Sequence, residues 1–381
     1  MTNYNKKSQS NRSLAGKAGR IMAWVIAIIL AFVLILAGLL LLWSPGKPKP
    51  FVDQDGNPLA GSISEKIRVD INGVQQGMFI KSKDATRPVL FFLHGGMPEY
   101  WLTQNYPTGL EDIFTVVWWE HRGAGLSYSA DIPPETMTVE QLVADTLEVT
   151  NYLRKRFGQD KIYLMGHSGG SFIGMLAAAQ APELYHAYIG VAQMAYQLES
   201  ERLAYEYALE QFAANGDRRM LQKLEDTPVT GKDPLPVGWL SLRDAAIYSL
   251  GIGTMRDMKS VITGIFLPSW QFREYTLGEK LNLWRGKFFS QNILRDKMFA
   301  TDLTAQVTEL DIPVHFFHGG FDYTVSYPEA KSYIEKLKAP IRGFYTFEQS
   351  AHSPMFEEPE KMHKILLEDV LAGTNSLADS K

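Results

Sequence analysis

Gly166-His167-Ser168-Gly169-Gly170 follows the apolar run Ile162-Tyr163-Leu164-Met165 and precedes a small-residue stretch from Ser171 to Gln180. The G-x-S-x-G pattern needs glycine because the chain turns from strand to helix so tightly that side chains at those places would collide. The serine between them is held in a strained conformation with its hydroxyl projecting above the sheet. The flanking residues supply the context the pattern demands, since 162–165 predict a buried strand and 171–180 an alanine-rich helix. Ser168 is read as a nucleophile at the end of a buried strand.

Working outward, residues 63–71 and 76–80 flank Asn72-Gly73, a hairpin turn signal. Residues 89–93 end at His94-Gly95-Gly96, and residues 114–119 lead to Arg122-Gly123-Ala124-Gly125. Both runs are apolar throughout, which suits central strands of a parallel sheet covered by helices on each face. Residues 138–157 place Val139, Leu142, Val143, Thr146, Val149 and Leu153 on one side of a helix. Further strands are expected at 187–192, 313–317 and 343–347, with helices at 328–338 and 357–371. Strands alternating with helices predict a mostly parallel, doubly wound α/β sheet entered through an antiparallel hairpin.

The block from Met194 to Leu310 shows helical patterns without a convincing strand, and it is rich in aromatic residues such as Trp239, Tyr248, Phe266, Trp270, Tyr275 and Trp284. An insertion of that size between two sheet strands reads as a helical cap. The expected organisation is a basic N-terminal segment (1–20), a membrane-spanning helix (21–43), a linker with four prolines (44–58), a sheet core (59–193 and 311–372) interrupted by the cap (194–310), and a C-terminal tail (373–381).

A serine hydroxyl is a weak nucleophile until a base takes its proton, and that base needs an orienting acid. Asp322 lies just beyond the strand at 313–317, in His318-Gly319-Gly320-Phe321-Asp322, and is expected to be the acid. The rival Asp311 precedes that strand and falls at its wrong end. His352, in Gln349-Ser350-Ala351-His352-Ser353-Pro354 after the strand at 343–347, is expected to be the base, because His363 sits inside the last helix. An oxyanion needs two preorganised backbone N–H donors, worth about 3–4 kcal/mol each. Gly169, after the nucleophile, and Gly96, after the strand ending at Leu93, are the expected donors, with Gly95 as the fallback for Gly96. Arg122 and its neighbouring glycines are read as bracing that loop.

Residues 21–43 are a run of 23 without charge or proline. As a helix rising ~1.5 Å per residue the run reaches about 34 Å, enough for a hydrocarbon core of ~30 Å. Trp24 and Trp43 stand near its ends, where indole rings favour the membrane–water boundary. Lys6, Lys7, Arg12, Lys17 and Arg20 precede it with no acidic residue, so the N-terminus is expected in the cytoplasm and the bulk of the chain outside. An uncleaved anchor is preferred to a signal peptide, whose apolar core normally spans ~7–15 residues.

Composition narrows the remaining classes. The chain is 45% hydrophobic and 21% charged with a formal charge of −4, which fits a globular protein and gives nucleic-acid binding little support. Cysteine is absent, which excludes disulfides, thiolate metal sites and a cysteine nucleophile. The histidines show no metal-ligand spacing and Gly95-Gly96 lacks the lysine of a phosphate loop, so neither a metal nor a cofactor is expected.

Taken together, His94-Gly95-Gly96, Arg122-Gly123-Ala124-Gly125-Leu126-Ser127, Gly166-His167-Ser168, His318-Gly319-Gly320-Phe321-Asp322 and Ala351-His352 resemble the α/β-hydrolase superfamily, and within it the proline iminopeptidase-like branch. The resemblance implies an α/β-hydrolase fold with a helical cap, the triad Ser168, Asp322 and His352, oxyanion groups at Gly96 and Gly169, and release of an N-terminal residue from a peptide. The chain departs from the branch in having Met97-Pro98 after the glycines, where Pro-Gly is usual, and Gly169 where tryptophan is favoured. The branch also binds the free amine of its substrate with acidic cap residues, a role for which Glu199, Glu201, Glu206 and Glu210 are available although no motif selects among them. The expected substrate is a small peptide or a small ester. Hydrolysis of small acyl esters and a non-enzymatic receptor or scaffold role are the alternatives.

Overall fold

Val89, Phe91 and Leu93 pack into one hydrophobic cluster, while Leu90 and Phe92 between them pack into another. Successive strand residues point to opposite faces, so a strand apolar at every position must be covered on both sides. In the computed structural model this strand lies inside an eight-stranded sheet. Its members are β1 (Ile63–Ile71), β2 (Val74–Ser82), β3 (Val89–Leu93), β4 (Thr115–Glu120), β5 (Ile162–His167), β6 (Tyr185–Val191), β7 (Val314–Gly319) and β8 (Arg342–Phe347). They are ordered β1-β2-β4-β3-β5-β6-β7-β8. Pairing is antiparallel from β1 to β2 and from β2 to β4, and parallel from there on. This is the α/β-hydrolase architecture expected from the sequence.

The structure describes residues 2–380, without the side chains of residues 2–16, 18 and 291. The basic side chains of Lys6, Lys7 and Arg12 and the chain ends Met1 and Lys381 therefore lie outside the described residues. The first helix, α1 (Thr2–Leu42), includes Gly19–Leu42, 24 residues within which an 18-residue stretch has mean hydropathy 3.4 and no part buried. By length and composition that segment is able to cross a membrane. The residues after it are held rather than free. Gly46 donates its N–H to Arg273 O at 3.1 Å, and Pro45 bridges to Thr276.

One face of the sheet is covered by α2 (Val139–Phe157) and α3 (Gly169–Gln180). Thr138 caps α2 by accepting the Gln141 N–H at 3.0 Å, and Gly158 closes it with a φ of 62°. Between β6 and β7 stand α4 (Gln197–Ala214), α5 (Arg218–Glu225), α6 (Val237–Leu250), α7 (Leu267–Gln271), α8 (Leu277–Ala300) and the single turn α9 (Leu303–Gln306). The two ends of this helical insertion meet where Tyr196 bridges to Asp302 and Leu303 donates to Ala195 O at 3.0 Å. Inside it, Trp239 is fully buried at the centre of a separate apolar cluster. The chain ends with α10 (Tyr327–Lys336), α11 (Pro354–Glu357) and α12 (Pro359–Ile365).

Two elements differ from the sequence reading. The strand expected at 76–80 runs from Val74 to Ser82: Lys81, just past its expected end, is buried and pairs with Glu274 at 2.8 Å, and at the other end β2 pairs with β1 up to Val74 opposite Ile71. The single last helix expected at 357–371 is divided into α11, α12 and a wider turn over Leu366–Val370. Pro359, which has no N–H to donate, starts a new helix where the first would have continued.

One buried carboxylate ties the sheet entrance together. Asp145 on α2 accepts hydrogen bonds from Asn72 (2.8 Å), Gln76 (2.7 Å), Gln141 (2.8 Å) and both Nε and Nη2 of Arg122 (2.7 and 3.1 Å). Asn72 and Gly73 have φ of 49° and 77°, the double left-handed turn that an Asn-Gly hairpin uses. Removing a partner from a buried pair strands the other charge, so Asp145→Ala should cost about 3–5 kcal/mol, read as a lowered urea midpoint. A change below about 1 kcal/mol would show that Arg122 finds water or another acid instead.

Candidate active site

β5 ends at His167 and α3 begins at Gly169, so the whole reversal falls on Ser168, with φ 55° and ψ −125°. A side chain in that region is strained and persists only where its surroundings hold it. The neighbours are tight. A Cβ on Gly166 would lie 2.5 Å from Gly170 O, and one on Gly170 would lie 2.1 Å from Leu93 O. The Ser168 N–H donates to Val191 O at 3.0 Å, which fixes the turn to β6 as well.

The loop after β3 presses on the serine from the other side. A Cβ on Gly95 would stand 2.7 Å from Ser168 Cβ and 3.1 Å from its Oγ. His94 holds this loop. Its Nε2 accepts the His121 N–H at 3.3 Å, so its Nδ1 carries the proton and donates to Gly95 O at 2.9 Å. Burial keeps His94 neutral by lowering its pKa well below 6.5. The His94 and His121 rings stack with centroids 4.2 Å apart, so the segment before Arg122 braces the loop directly. Gly96 then faces the cavity together with Gly169. The Gly169 N–H is at the first turn of α3, where helix amides lack intrahelical acceptors.

Asp322 and His352 are brought together from the ends of β7 and β8. His352 Nδ1 is 2.9 Å from Asp322 Oδ2, while Asp322 Oδ1 accepts the N–H groups of Thr324 (2.8 Å) and Val325 (3.0 Å). Burial would raise the pKa of Asp322, but His352 and His318 outweigh it and hold the carboxyl below its usual range. An ionised Asp322 only accepts, so Nδ1 of His352 carries a proton and Nε2 keeps its lone pair. Burial lowers the pKa of His352 below 6.5, with Asp322 opposing.

The backbone of His352 is gripped on both sides. Its N–H donates to Gly253 O at 3.1 Å, in the loop after α6, and its carbonyl accepts from His167 Nε2 at 2.8 Å. His167 Nδ1 faces Glu99 Oε1 at 2.7 Å. Both ring nitrogens of His167 thus meet oxygen acceptors, the arrangement of an imidazolium. Burial disfavours that charge, yet the Glu99 carboxylate overcomes it and raises the His167 pKa above 6.5. Glu357 adds a further tie by accepting the N–H groups of Arg256 (2.7 Å) and Ala351 (2.8 Å), with burial pushing its own pKa up to about 7.

Ser168, Gly96, Gly169 and His352 open on one cavity of about 390 Å³, roofed by Tyr248, Lys287 and Met298 of the helical insertion. Asp322 stands behind His352 and does not line it. Two carboxylates do, Glu99 and Asp244. Asp244 lies 3.6 Å from Arg243. Glu99 Oε2 is buried without a hydrogen-bond partner. None of the four acids named from the sequence lines the cavity. Glu199 and Glu206 pair with Arg202, Glu210 is exposed, and Glu201 is buried against Arg243 (2.7 Å), Trp239 (2.8 Å) and Gln197 (2.9 Å). Sequence reading passed over Glu99 and His167, although one follows the Gly95-Gly96 loop and the other directly precedes Ser168.

The alpha/beta hydrolase fold family matches this chain over residues 88–359. A probable aminopeptidase of Bacillus subtilis, YbaC, is 31% identical over 306 residues, covering 79% of this chain and 95% of the relative. Among solved structures, a proline iminopeptidase of Mycobacterium smegmatis superposes with a TM-score of 0.59 at 15% identity, over 81% of this chain and 98% of that one. A proline iminopeptidase-related protein of Thermus thermophilus gives 0.55 at 20% identity over the same shares.

Histidine titration by NMR tests the electrostatics of the site. His167 should keep its second proton above pH 6.5, and His352 should lose its own below that value. Glu99→Gln removes the anion that holds the His167 proton and should lower that pKa. A wild-type His167 that titrates below 6.5 contradicts the imidazolium assignment.

Proposed function

The chain belongs to the alpha/beta hydrolase fold family, and from that premise we propose that it is a serine hydrolase that removes the N-terminal residue of small peptides through an acyl-enzyme on Ser168. The observation that carries the reading is the strained Ser168, opening on the same cavity as a His352 whose Nδ1 is held by an ionised Asp322. As Ser168 Oγ attacks the scissile carbonyl, its proton passes to Nε2 of His352. Asp322 stabilises the imidazolium that forms. The carbonyl oxygen becomes an oxyanion and takes the N–H groups of Gly96 and Gly169. His352 then protonates the leaving amine. A water, deprotonated by the same Nε2, attacks the acyl-enzyme and returns Ser168.

The unpartnered oxygen of Glu99 favours a substrate with a free amine. In an N-terminal residue the amine nitrogen lies only about 2.5 Å from the scissile carbonyl carbon, so its anchor must be close to the nucleophile. Glu99, bonded to the residue before Ser168, meets that requirement, and Glu199, Glu201, Glu206 and Glu210 do not line the cavity. The likeness to a probable aminopeptidase supports the same substrate class. Residues 194–310 act as the cap that limits the cavity to short substrates. The apolar segment of α1 serves as an uncleaved anchor, since it exceeds the ~7–15 residue core of a signal peptide. With Lys17 and Arg20 before it, the N-terminus is cytoplasmic and the catalytic domain lies on the other side.

Ser168→Ala should abolish labelling by a fluorophosphonate and reduce kcat by about 10⁴–10⁶-fold. Undiminished labelling or turnover would overturn the nucleophile. The acid limb of kcat/KM reports deprotonated His352, whose pKa is lowered, so its midpoint should fall below pH 6.5. Glu99→Gln should lower kcat/KM for alanyl and prolyl arylamides by about 10–100-fold relative to a short aryl ester, the worth of a charged hydrogen bond of about 1.5–3 kcal/mol. An equal loss on both substrates, or cleavage of esters alone, removes the aminopeptidase assignment.

A further inference from the structure

Lys280, 1% exposed, points its ammonium at two backbone carbonyls, Trp43 O at 2.7 Å and Trp270 O at 2.6 Å. One is the residue that follows α1, and the other belongs to α7 in the helical insertion. With the Gly46–Arg273 hydrogen bond and the Pro45–Thr276 bridge, this clamps the exit of the apolar helix to the start of α8.

The surface beside that clamp is apolar. Leu281 and Phe288 are 41% and 59% exposed, and with Trp284 they stand at i, i+7 and i+3, one face of α8. The Phe266 ring packs 5.1 Å from the Trp284 ring, which joins the preceding segment to the same patch. In that segment Ile262, Phe266 and Leu267 are 63%, 40% and 48% exposed. Lys47 and Lys49 after α1, Arg273 before α8 and Arg285 within α8 are exposed. A contiguous apolar patch with basic residues nearby has the composition of a surface that lies on anionic lipid, apolar groups at the acyl boundary and cations at the headgroups.

We propose that residues 262–267 and the outer face of α8 form an interfacial membrane contact, seating the insertion on the bilayer that α1 enters. The proposal rests on the reading of α1 as an anchor. The occupant is the lipid surface itself, because the clamp at Trp43 places the patch beside the point where α1 ends. Ile265 and Lys287, each next to a patch residue, also line the cavity of Ser168. The seated surface therefore adjoins the rim of the cavity, and substrates that collect at the lipid surface reach Ser168 by the shortest path.

The chain has no cysteine, so single cysteines carry a nitroxide without background. Leu267→Cys, Leu281→Cys and Phe288→Cys probe the patch, Ile29→Cys probes α1, and Gln222→Cys and Glu335→Cys are exposed references. The full chain is reconstituted in vesicles of phosphatidylcholine and phosphatidylglycerol, and spin-label relaxation is measured with oxygen and with a water-soluble nickel complex. The expected result is loss of nickel access and gain of oxygen access at 267, 281 and 288, as at 29, with the reverse at 222 and 335. Nickel access at the patch equal to that at 335, with 29 shielded, overturns the contact and leaves the anchor standing. Nickel access at both 29 and the patch overturns both. A shielded patch with an accessible 29 removes the anchor, and with it the contact in the form proposed.

Discussion

The close approach of backbone to backbone around Ser168 is the constraint on which the rest of this molecule depends. Two glycines let α3 start one residue after β5 ends, with Gly170 seated against the carbonyl of Leu93 and Gly166 against Gly170. A methyl group at either place would separate the strand from the helix and release the serine from its strained φ. The cost of that strain, about 1–3 kcal/mol, is borne by a sheet that buries β3 and β5 on both faces. The loop carrying Gly95 then rests on Ser168, and that loop is held by a neutral His94 stacked on His121. Geometry at one turn thus propagates through the ends of β3, β4 and β6.

Buried charge is handled in two different ways. Asp145 satisfies its carboxylate with five donors and joins the hairpin, α2 and the loop after β4. Its environment is saturated, and its part is mechanical. Glu99, which lines the cavity, satisfies one oxygen with His167 and leaves the other buried without a partner. An unpaired buried oxygen is expensive unless a ligand completes it. The same histidine holds the carbonyl of His352, while Gly253 of the insertion holds its N–H. The positions of His352 and of the helical insertion are therefore coupled through the main chain.

The insertion meets the rest of the molecule at its own neck at Tyr196 and Asp302, at the Gly253 contact with His352, at the pairs of Glu274 with Lys81 and Glu279 with Lys66, and at the Lys280 clamp on Trp43, among other contacts. A displacement of α8 bears on the residue after α1 and on the wall of the cavity together. Helix α8 contributes both to the exposed apolar patch and to the wall of the cavity that Ser168 lines.

Periodicity and local turn chemistry were enough to set the α/β class, the hairpin at Asn72-Gly73, the strands at 63–71 and 89–93 and the helical block before β7, because each of these depends on neighbours in the chain. Position just after a strand also picked out Ser168, Asp322 and His352, and the fold gathers them around or behind one cavity. Tertiary structure decided what sequence spacing does not encode. Glu99 and His167 are 68 positions apart, and His167 meets the carbonyl of a residue 185 positions away. Lys81 reads as a polar residue that ends a strand until Glu274 is seen to pair with it. The acids of the insertion looked equivalent in the sequence, and only packing put Glu201 against Arg243 and Glu199 and Glu206 against Arg202, while Glu99, from the loop after β3, lines the cavity. A side chain's charge is written in the sequence, but its partner is chosen by the fold, because electrostatic and hydrogen-bond energies depend on distances that arise only when remote segments meet.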